Sequence, residues 1–219
     1  MQVERSFAFL DLCGFTAYTA TQGDDRATSV LSGFRATLRD IASRRGVRVA
    51  KWLGDGAMIV GVETEPLVSA IMEVVRRVDE GDSPLDIRAG MALGSVILFE
   101  GDDYIGTPVN LAARLCDVAG PRQVLAASGL CEFCPPWVMA RDHYEMAIPG
   151  FVDPVELVRL SARPPGDHPV TDPVCGLVLD AAFAVAGVGG DGVPAWFCSP
   201  SCASTWSERT RPVVVTPDR

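Results

Sequence analysis

The sequence contains no uninterrupted run of 18 apolar residues, the length that marks a membrane-spanning helix. Basic residues are in deficit: 28 acidic side chains face 19 lysines and arginines, giving a net charge of −9. This balance argues against nucleic acid or an anionic membrane as the main partner, so an anionic ligand would need local cations or metal ions. The apolar part of the first residues is too short for a secretory signal. We therefore expect a cytoplasmic protein without a nucleic-acid or membrane partner.

The sequence also lacks the cysteine pattern of a disulfide framework. Its seven cysteines are odd in number and unevenly spaced, which suits reduced thiols or a metal site better. With 219 residues, of which 48% are hydrophobic, the chain is long enough for one main domain with a substantial core and a small additional module.

What the sequence does contain is centred on KWLGDG at residues 51–56, which lies between two β-prone apolar runs. Asp55-Gly56 in this setting predicts a hairpin, because glycine tolerates the positive φ of a tight turn. Asp55 would then expose its carboxylate at the turn, with Lys51 four residues earlier on the incoming strand. Taken alone, the segment is better explained as an ordinary polar hairpin tip. Two further stretches favour a functional site.

The first stretch is a compact apolar run at residues 6–12, which predicts a buried strand interrupted by Asp11. A buried carboxylate is costly unless it binds a cation. Gly14 follows and allows a sharp turn whose backbone N–H groups face an anion. In the second stretch, Asn110 and Arg114 lie four residues apart on a predicted helix and therefore share a face.

The remaining pattern predicts an α+β or α/β sandwich, because helical and strand-like segments alternate without a strict repeat. Helices are predicted over 27–45 and 67–78 and from about residue 109; a strand pair over 85–100 with its turn near Leu93-Gly94; and closing strands over 124–127, 145–148 and 155–160. A proline-rich stretch predicts a linker. The predicted boundaries are 1–160 for the main domain, 161–171 for the linker, 172–210 for a cysteine-containing module and 211–219 for a flexible tail.

Three motifs occur in order: FLDLCGFT at residues 9–16, KWLGDG at 51–56 and DYIGTPVNLAARL at 103–115. Together they resemble the catalytic domain of the class III nucleotidyl cyclases, the adenylate and guanylate cyclase family, over roughly residues 5–160. The resemblance implies a ferredoxin-like α+β sandwich with an antiparallel-rich sheet. It also implies ATP as the substrate and two Mg²⁺ or Mn²⁺ ions in each active site.

The resemblance assigns one group of residues to the metals and the triphosphate. Asp11 and Asp55 match the two metal-binding aspartates, and Leu12 belongs to the same set. Two carboxylates can hold two such ions with phosphate oxygens completing the coordination. The triphosphate would lie against the backbone N–H groups of four consecutive residues, Cys13, Gly14, Phe15 and Thr16.

A second group is assigned to the nucleoside and the reacting phosphate. Lys51 and Asp103 match the pair that reads the purine in adenylate-specific members, so a guanylate cyclase is the less favoured interpretation. Asn110 matches the asparagine that orients the ribose, and Arg114 the arginine on the reacting phosphate. In the family the metal aspartates and this second group come from different chains. The resemblance therefore implies a head-to-tail homodimer with two shared sites and an inactive monomer.

One departure and several simpler explanations keep an alternative open. Where the family often has Leu-Lys-Gly, with a lysine that grips the triphosphate, this sequence has Ile148-Pro149-Gly150. Loss of that cation predicts weak ATP binding and low activity. The alternative function is a catalytically weak or inactive nucleotide sensor or dimerisation platform. Taken singly, Asp11 could be a cap or turn acid, Asn110 a helix cap and Arg114 a surface cation; six coincident matches favour the site.

The C-terminal segment carries Cys175, Cys198 and Cys202 within DPVCG and AWFCSPSC. These phrases resemble the YHS family, related to TRASH-type metal-binding modules. Thiolates in this spacing are candidate ligands for Zn²⁺ or Cu⁺, with His168 or Asp172 as a fourth ligand. The alternative is a small aromatic-stabilised fold with unmetallated cysteines. A metal- or redox-sensing module beside a cyclase domain suggests regulation of the cyclase.

Overall fold

The computed structural model describes residues 1–81, 83–101, 103–188 and 193–209. The chain forms two compact units, Met1–Arg163 and Pro164–Arg219. The division falls within the range of residues 161–171 predicted as a linker. The predicted flexible tail at residues 211–219 lies outside the described residues. No helix in the described ranges is long and apolar enough to span a membrane.

The first unit is built around an eight-stranded sheet, whose strands are β1 (Gln2–Leu12), β2 (Arg48–Leu53), β3 (Gly56–Gly61), β4 (Ile87–Phe99), β5 (Asp103–Ile105), β6 (Val124–Ala127), β7 (Val138–Met146) and β8 (Val155–Ala162). The order is β2-β3-β1-β4-β6-β8-β7, and β5 pairs with β4 outside this path. Neighbouring strands are antiparallel except β4 and β6, which are parallel. Such an antiparallel-rich sheet with helices is the α+β architecture that was predicted.

Helices cover both faces of this sheet; they are α1 (Phe15–Gln22), α2 (Asp24–Arg45), α3 (Thr64–Glu80) and α4 (Thr107–Val118). Side chains alternate between the faces of a strand. Phe7 of β1 accordingly joins the core cluster that contains Ala112 of α4. Its neighbour Ser6 faces the opposite side, where α3 begins its packing at Leu67. The periodicity predicted α2 and α3 to within a few residues.

A buried carboxylate joins α2 to α3. Glu73 of α3 is fully buried and accepts hydrogen bonds from Arg45 at 2.7 Å and Arg44 at 2.9 Å, both from α2. Arg77, one turn further along α3, lies 3.0 Å from the same carboxylate. Burial of a charge is costly unless it is paired, and the guanidinium groups supply that pairing. The two helices are therefore joined by charge as well as by apolar contact.

The backbone of α4 lies directly against β4. A Cβ atom built on Gly90 would come within 2.1 Å of the Cys116 backbone nitrogen and 2.2 Å of the Ala112 carbonyl oxygen. Only glycine fits at such a contact, because any side chain would push the helix away from the sheet. This close backbone contact fixes the position of α4, the helix that carries Asn110 and Arg114.

Two sequence-based assignments in this unit are wrong, and one helix was missed. The predicted strand pair at residues 85–100 is one strand, β4. Gly94 lies inside this strand rather than in a turn, and a Cβ on this residue would approach Pro108 Cγ to 2.9 Å. The predicted strand at 145–148 overlaps only the last two residues of β7, which begins earlier and ends at Met146. Helix α1 was not predicted; none of its residues is buried, so it lacks an apolar stripe.

The second unit consists of two short hairpins and a helix: β9 (Pro169–Thr171) pairs with β10 (Val178–Asp180), β11 (Val185–Val188) pairs with β12 (Pro194–Phe197), and α5 covers Pro200–Arg209. All pairings are antiparallel. Phe197 and Trp206 pack with ring centroids 6.3 Å apart. Strand β9 lies inside the range predicted as linker, so that stretch is partly structured.

Candidate active site

Two carboxylates lie at the ends of adjacent strands. Asp11 is near the end of β1, and Asp55 is in the turn between β2 and β3; β1 and β3 pair with Leu10 opposite Ala57. The hairpin is confirmed, but its turn residues are Gly54 and Asp55. The positive φ of 65° belongs to Gly54 rather than to Gly56.

Gly56 has a different role from the one predicted. A Cβ on this residue would lie 2.6 Å from the Leu10 carbonyl oxygen and 3.4 Å from Asp11 Oδ1. The missing side chain therefore leaves room for the backbone of β1 and for the Asp11 carboxylate. Asp55 is partly buried rather than fully exposed. Its pKa is raised, chiefly by burial and further by the neighbouring charge of Asp11. Two acids in one electrostatic environment attract a cation.

The turn that carries Asp55 is held from α2. Arg35 donates from Nη2 to the Gly54 carbonyl oxygen at 2.8 Å. The guanidinium groups of Arg35 and Arg39 lie over the Trp52 ring, 4.9 and 5.0 Å from its centroid. Cation–π contacts of this kind add to the hydrogen bond, so the hairpin tip is anchored to the helix.

Arg88, which lies outside the three sequence motifs, is a cation paired with Asp11. It lies opposite Asp11 in the β1–β4 register and donates to Asp11 Oδ2 from Nε at 2.9 Å and from Nη2 at 2.6 Å. Its Nη1 donates to the Asp117 carbonyl oxygen at 3.1 Å. The available signal was a basic residue inside an apolar strand. Its partner depended on the register, which the sequence does not give.

The loop predicted to face the triphosphate leads into α1. Gly14 is the N-cap of this helix, in the left-handed conformation with φ of 78°. Amides of a first helical turn have no intrahelical acceptor, which leaves Phe15 and Thr16 available for an anion. Cys13 differs: its N–H donates to the Asp86 carbonyl oxygen at 2.9 Å, so that group is already occupied. Leu12 is buried and pairs with Ile87 in β4.

Lys51 and Asp103 form an ion pair although 52 residues separate them. Lys51 Nζ lies 2.8 Å from Asp103 Oδ1, which also accepts the Tyr104 backbone N–H at 2.8 Å. The Lys51 ammonium lowers the pKa of Asp103. Asp103 is the first residue of β5. The pair presents one donor group and one acceptor group side by side at the surface.

Asn110 and Arg114 line an open cleft of about 600 Å³ with Pro149 and Phe151. The N-cap of α4 is Gly106, without a side-chain cap, so the simpler explanation of Asn110 as a helix cap is wrong. Arg114 is exposed, and its Nη1 lies 3.2 Å from Asp117 Oδ2. Within the described residues, neither Asn110 nor Arg114 hydrogen-bonds to Asp11 or Asp55.

The structure thus forms three groups within one chain. The first is the acid group of Asp11, Asp55 and Arg88 beside the α1 loop; the second is the Lys51–Asp103 pair; the third is the Asn110–Arg114 cleft. Asp117 connects the first and third groups, because its carbonyl oxygen accepts from Arg88 and its carboxylate pairs with Arg114.

Solved structures with the same fold are nucleotidyl cyclases. The adenylyl cyclase CyaB from P. aeruginosa aligns with a TM-score of 0.65 and 24% identity, over 75% of this chain and 96% of that one. The guanylyl cyclase Cya2 aligns with a TM-score of 0.64 and 19% identity, over 76% and 96%. The first unit therefore has the fold of the class III nucleotidyl cyclase catalytic domain, as predicted. Since both specificities share this fold, it does not distinguish ATP from GTP.

Proteins with similar sequences include an adenylate cyclase and a protein that is uncharacterised. An uncharacterised protein of Mycobacterium tuberculosis is 38% identical over 156 residues, which is 71% of this chain and 41% of that protein. An adenylate cyclase of Streptomyces coelicolor is 30% identical over 132 residues, 59% of this chain and 34% of that protein. The chain thus spans less than half of each relative. No protein-family model matches the chain, so the YHS resemblance of the second unit stays a prediction.

The second unit contains a candidate metal centre of its own. The three cysteines singled out in the sequence come together: Cys198 Sγ is 3.6 Å from Cys175 Sγ and 3.7 Å from Cys202 Sγ. Asp172 joins them, and all four donor atoms lie within 4.8 Å of one another and are buried. The hydrogen bond with Cys175 contributes most to the pKa of Cys202, which is raised to about 12. His168, the other predicted fourth ligand, is exposed.

Proposed function

We propose that the protein is an adenylate cyclase, which converts ATP into 3′,5′-cyclic AMP and pyrophosphate. The observation that carries this proposal is the placement of Asp11 and Asp55 at the ends of paired strands, in one electrostatic environment. Carboxylate oxygens are the ligands that Mg²⁺ and Mn²⁺ prefer, so the donor set fits the implied ions. Two bound ions would neutralise phosphate charge and acidify the ribose 3′-hydroxyl. The binding of both metal ions is part of this proposal.

The Lys51–Asp103 pair supports ATP as the substrate. Lys51 can donate a hydrogen bond to adenine N1, and Asp103 can accept one from the N6 amine. Guanine presents a donor at N1 and an acceptor at O6, so the same pair would face it with unmatched groups. Unpaired polar groups in a binding site are costly, which favours adenine. The ion pair holds both side chains in place before the base arrives.

The remaining chain residues act on the sugar and the phosphates. Asn110 orients the ribose so that its 3′-oxygen attacks the α-phosphorus in line with the bond to pyrophosphate. That phosphorus–oxygen bond breaks as the new one forms, and the 3′-hydroxyl proton is lost. Arg114 provides a fixed positive charge where negative charge develops on the α-phosphoryl oxygens. Amides of the α1 first turn bind the outgoing pyrophosphate.

We further propose that each site forms between two copies of the chain. Support comes from the resemblance and from the lack of a hydrogen bond or ion pair between the carboxylates and the Asn110–Arg114 cleft within the described part of one chain. In a head-to-tail dimer, Asp11 and Asp55 of one copy would face Lys51, Asp103, Asn110 and Arg114 of the other. Symmetry then gives two equivalent sites.

Mixing two inactive variants tests both proposals. We expect cyclic AMP from the wild type in Mn²⁺, and none from Asp55→Ala or Arg114→Ala alone. Mixed in equal amounts, the variants should recover about a quarter of wild-type activity, because half of the dimers are mixed and each has one intact site. Arg159→Ala, an exposed cation on β8, serves as the control. A wild-type dimer without cyclic product would reject the cyclase proposal, and cyclic AMP without recovery would reject the shared site.

A specific observation favours a second candidate, a nucleotide sensor with weak or no turnover. Pro149 lies in the wall of the cleft that contains Arg114, at the position where the resemblance implies a lysine. The missing cation weakens the hold on the triphosphate. ATP binding in Mn²⁺ without cyclic product would support this candidate.

Regulation by the second unit is a separate proposal: cyclase activity that is unchanged by a thiol-competing zinc chelator would reject it.

A further inference from the structure

Asp172 is a fully buried carboxylate within the cysteine cluster. Its Oδ1 accepts the backbone N–H groups of Val174 at 2.7 Å and Cys175 at 3.2 Å. Its Oδ2 accepts the Cys198 N–H at 2.7 Å. The carboxylate therefore joins the two chain segments that carry the cysteines.

This hydrogen bonding leaves one acceptor position free. A carboxylate offers about four lone-pair positions, and the three N–H groups fill two on Oδ1 and one on Oδ2. The remaining lone-pair position is on Oδ2, the oxygen that accepts the Cys198 N–H. No basic side chain in the described ranges pairs with Asp172. A fully buried carboxylate without a cation is costly, so the site calls for a positive ion.

The spacing of the four residues matches that of a closed metal site. Asp172 and Cys175 are three residues apart on a tight turn, in which the Gly176 N–H donates to the Asp172 carbonyl oxygen at 2.8 Å. Cys198 directly follows β12, two residues before α5 begins. Cys202 lies in the first turn of α5, where its N–H donates to Ser199 Oγ at 3.3 Å. Two ligands thus come from a turn and two from a helix start, a common arrangement for structural zinc.

We propose that Asp172, Cys175, Cys198 and Cys202 bind one Zn²⁺ in a four-coordinate site, with Asp172 Oδ2 as the fourth ligand. An oxygen ligand and four anionic groups favour a divalent, borderline ion over Cu⁺, which prefers sulfur alone and would leave more negative charge uncompensated. The backbone N–H groups on Asp172 orient the carboxylate and reduce its charge. This site is independent of the cyclase proposal and of its Mg²⁺ or Mn²⁺ ions.

Full-length protein, purified with zinc and dialysed against excess Mg²⁺, should retain one zinc per chain by elemental analysis. X-ray absorption at the zinc edge should fit three sulfur ligands and one oxygen. This measurement uses the wild type only, so it does not depend on whether variants fold. Failure to retain zinc, or a shell of three sulfurs without oxygen, would overturn the proposal.

Variants separate a ligand from a residue that only positions the cysteines. With Co²⁺ in place of zinc, Asp172→Cys should raise the thiolate-to-cobalt charge-transfer absorption by about a third, because a fourth thiolate is added. Asp172→Asn should lower zinc affinity at least about tenfold in competition with a chromophoric chelator. The control, His168→Ala, should change neither. An unchanged cobalt spectrum in Asp172→Cys would indicate that Asp172 only accepts hydrogen bonds and does not bind the metal, and would reject the proposal.

Discussion

Arg88 and Asp11 lie opposite each other on β4 and β1, and two nitrogens of the guanidinium donate to a single carboxylate oxygen, Oδ2. The arginine therefore occupies part of the carboxylate that is proposed to bind metal. If Asp11 binds a metal ion as proposed, the guanidinium would lose this partner and become available to an anionic oxygen of the triphosphate. Under the cyclase proposal, the pair would therefore link metal binding to nucleotide binding.

Replacing Arg88 should move the two affinities in opposite directions. In Arg88→Ala, Mn²⁺ affinity should rise up to about tenfold, because the competing cation is gone. Affinity for a non-hydrolysable ATP analogue in saturating Mn²⁺ should fall by about tenfold or more. Titration calorimetry measures both quantities. Arg159→Ala should change neither, and a parallel loss of both affinities in Arg88→Ala would indicate a merely structural role.

Reversing the Lys51–Asp103 pair should reverse the base preference. The double variant Lys51→Glu with Asp103→Lys keeps an ion pair but exchanges donor and acceptor, which suits guanine N1–H and O6. We expect the ratio of kcat/KM for ATP over GTP to fall by at least about 100-fold.

The variant Lys51→Glu alone serves as the comparison for this exchange. It removes the donor and leaves two like charges side by side, so activity should fall on both substrates. If the double variant still prefers ATP, another part of the site selects the base.

A lysine at position 149 should restore the missing cation. Pro149→Lys places an ammonium in the wall of the Asn110–Arg114 cleft. We expect the KM for ATP to fall about tenfold, the effect of one added charge-assisted contact to phosphate. Pro154→Lys adds the same charge outside the cleft lining and should leave KM unchanged. Equal effects of the two variants would point to overall charge instead.

Loss of the Glu73 charge should destabilise the first unit. In Glu73→Gln the side chain of Arg45, only 1% exposed, loses the Glu73 carboxylate that accepts its Nε–H. The free energy of unfolding should fall by about 3–5 kcal/mol in chemical denaturation. Glu80→Gln breaks an ion pair whose carboxylate is 59% exposed, and should cost less than about 1 kcal/mol. A similar, small loss in both variants would contradict the assigned role of the buried network.

Elements with a strong apolar period were predictable from the sequence. Leu67, Ile71 and Val74 form a helical stripe, and all three are fully buried in α3. The strand pair failed at Gly94, because a glycine between apolar residues resembles a turn. In the fold, this glycine makes room for Pro108 on another element. A contact between distant segments leaves no local pattern, so the sequence could not reveal it.

The candidate site was likewise predictable from the sequence only in part. Its motifs indicated which acids and cations to examine, and the structure shows where these residues lie; their roles remain predictions. Arg88 was missed because its meaning depends on the β1–β4 register. Asp172 was one of two open choices for a fourth ligand, and burial separates it from the exposed His168. Register and burial are properties of the folded chain, beyond the reach of spacing alone.

Gly90 also restricts how α4 can move relative to β4. Where side chains separate a helix from a sheet, rotamer changes let the helix shift; a contact between two backbones has no such freedom. The helix backbone that carries Asn110 and Arg114 is therefore expected to move together with β4. Under the cyclase proposal, adjustment of this helix over a nucleotide would require displacement of β4 as well. In the proposed dimer, an activating signal would then act on the orientation of one copy relative to the other, rather than on a loop inside either.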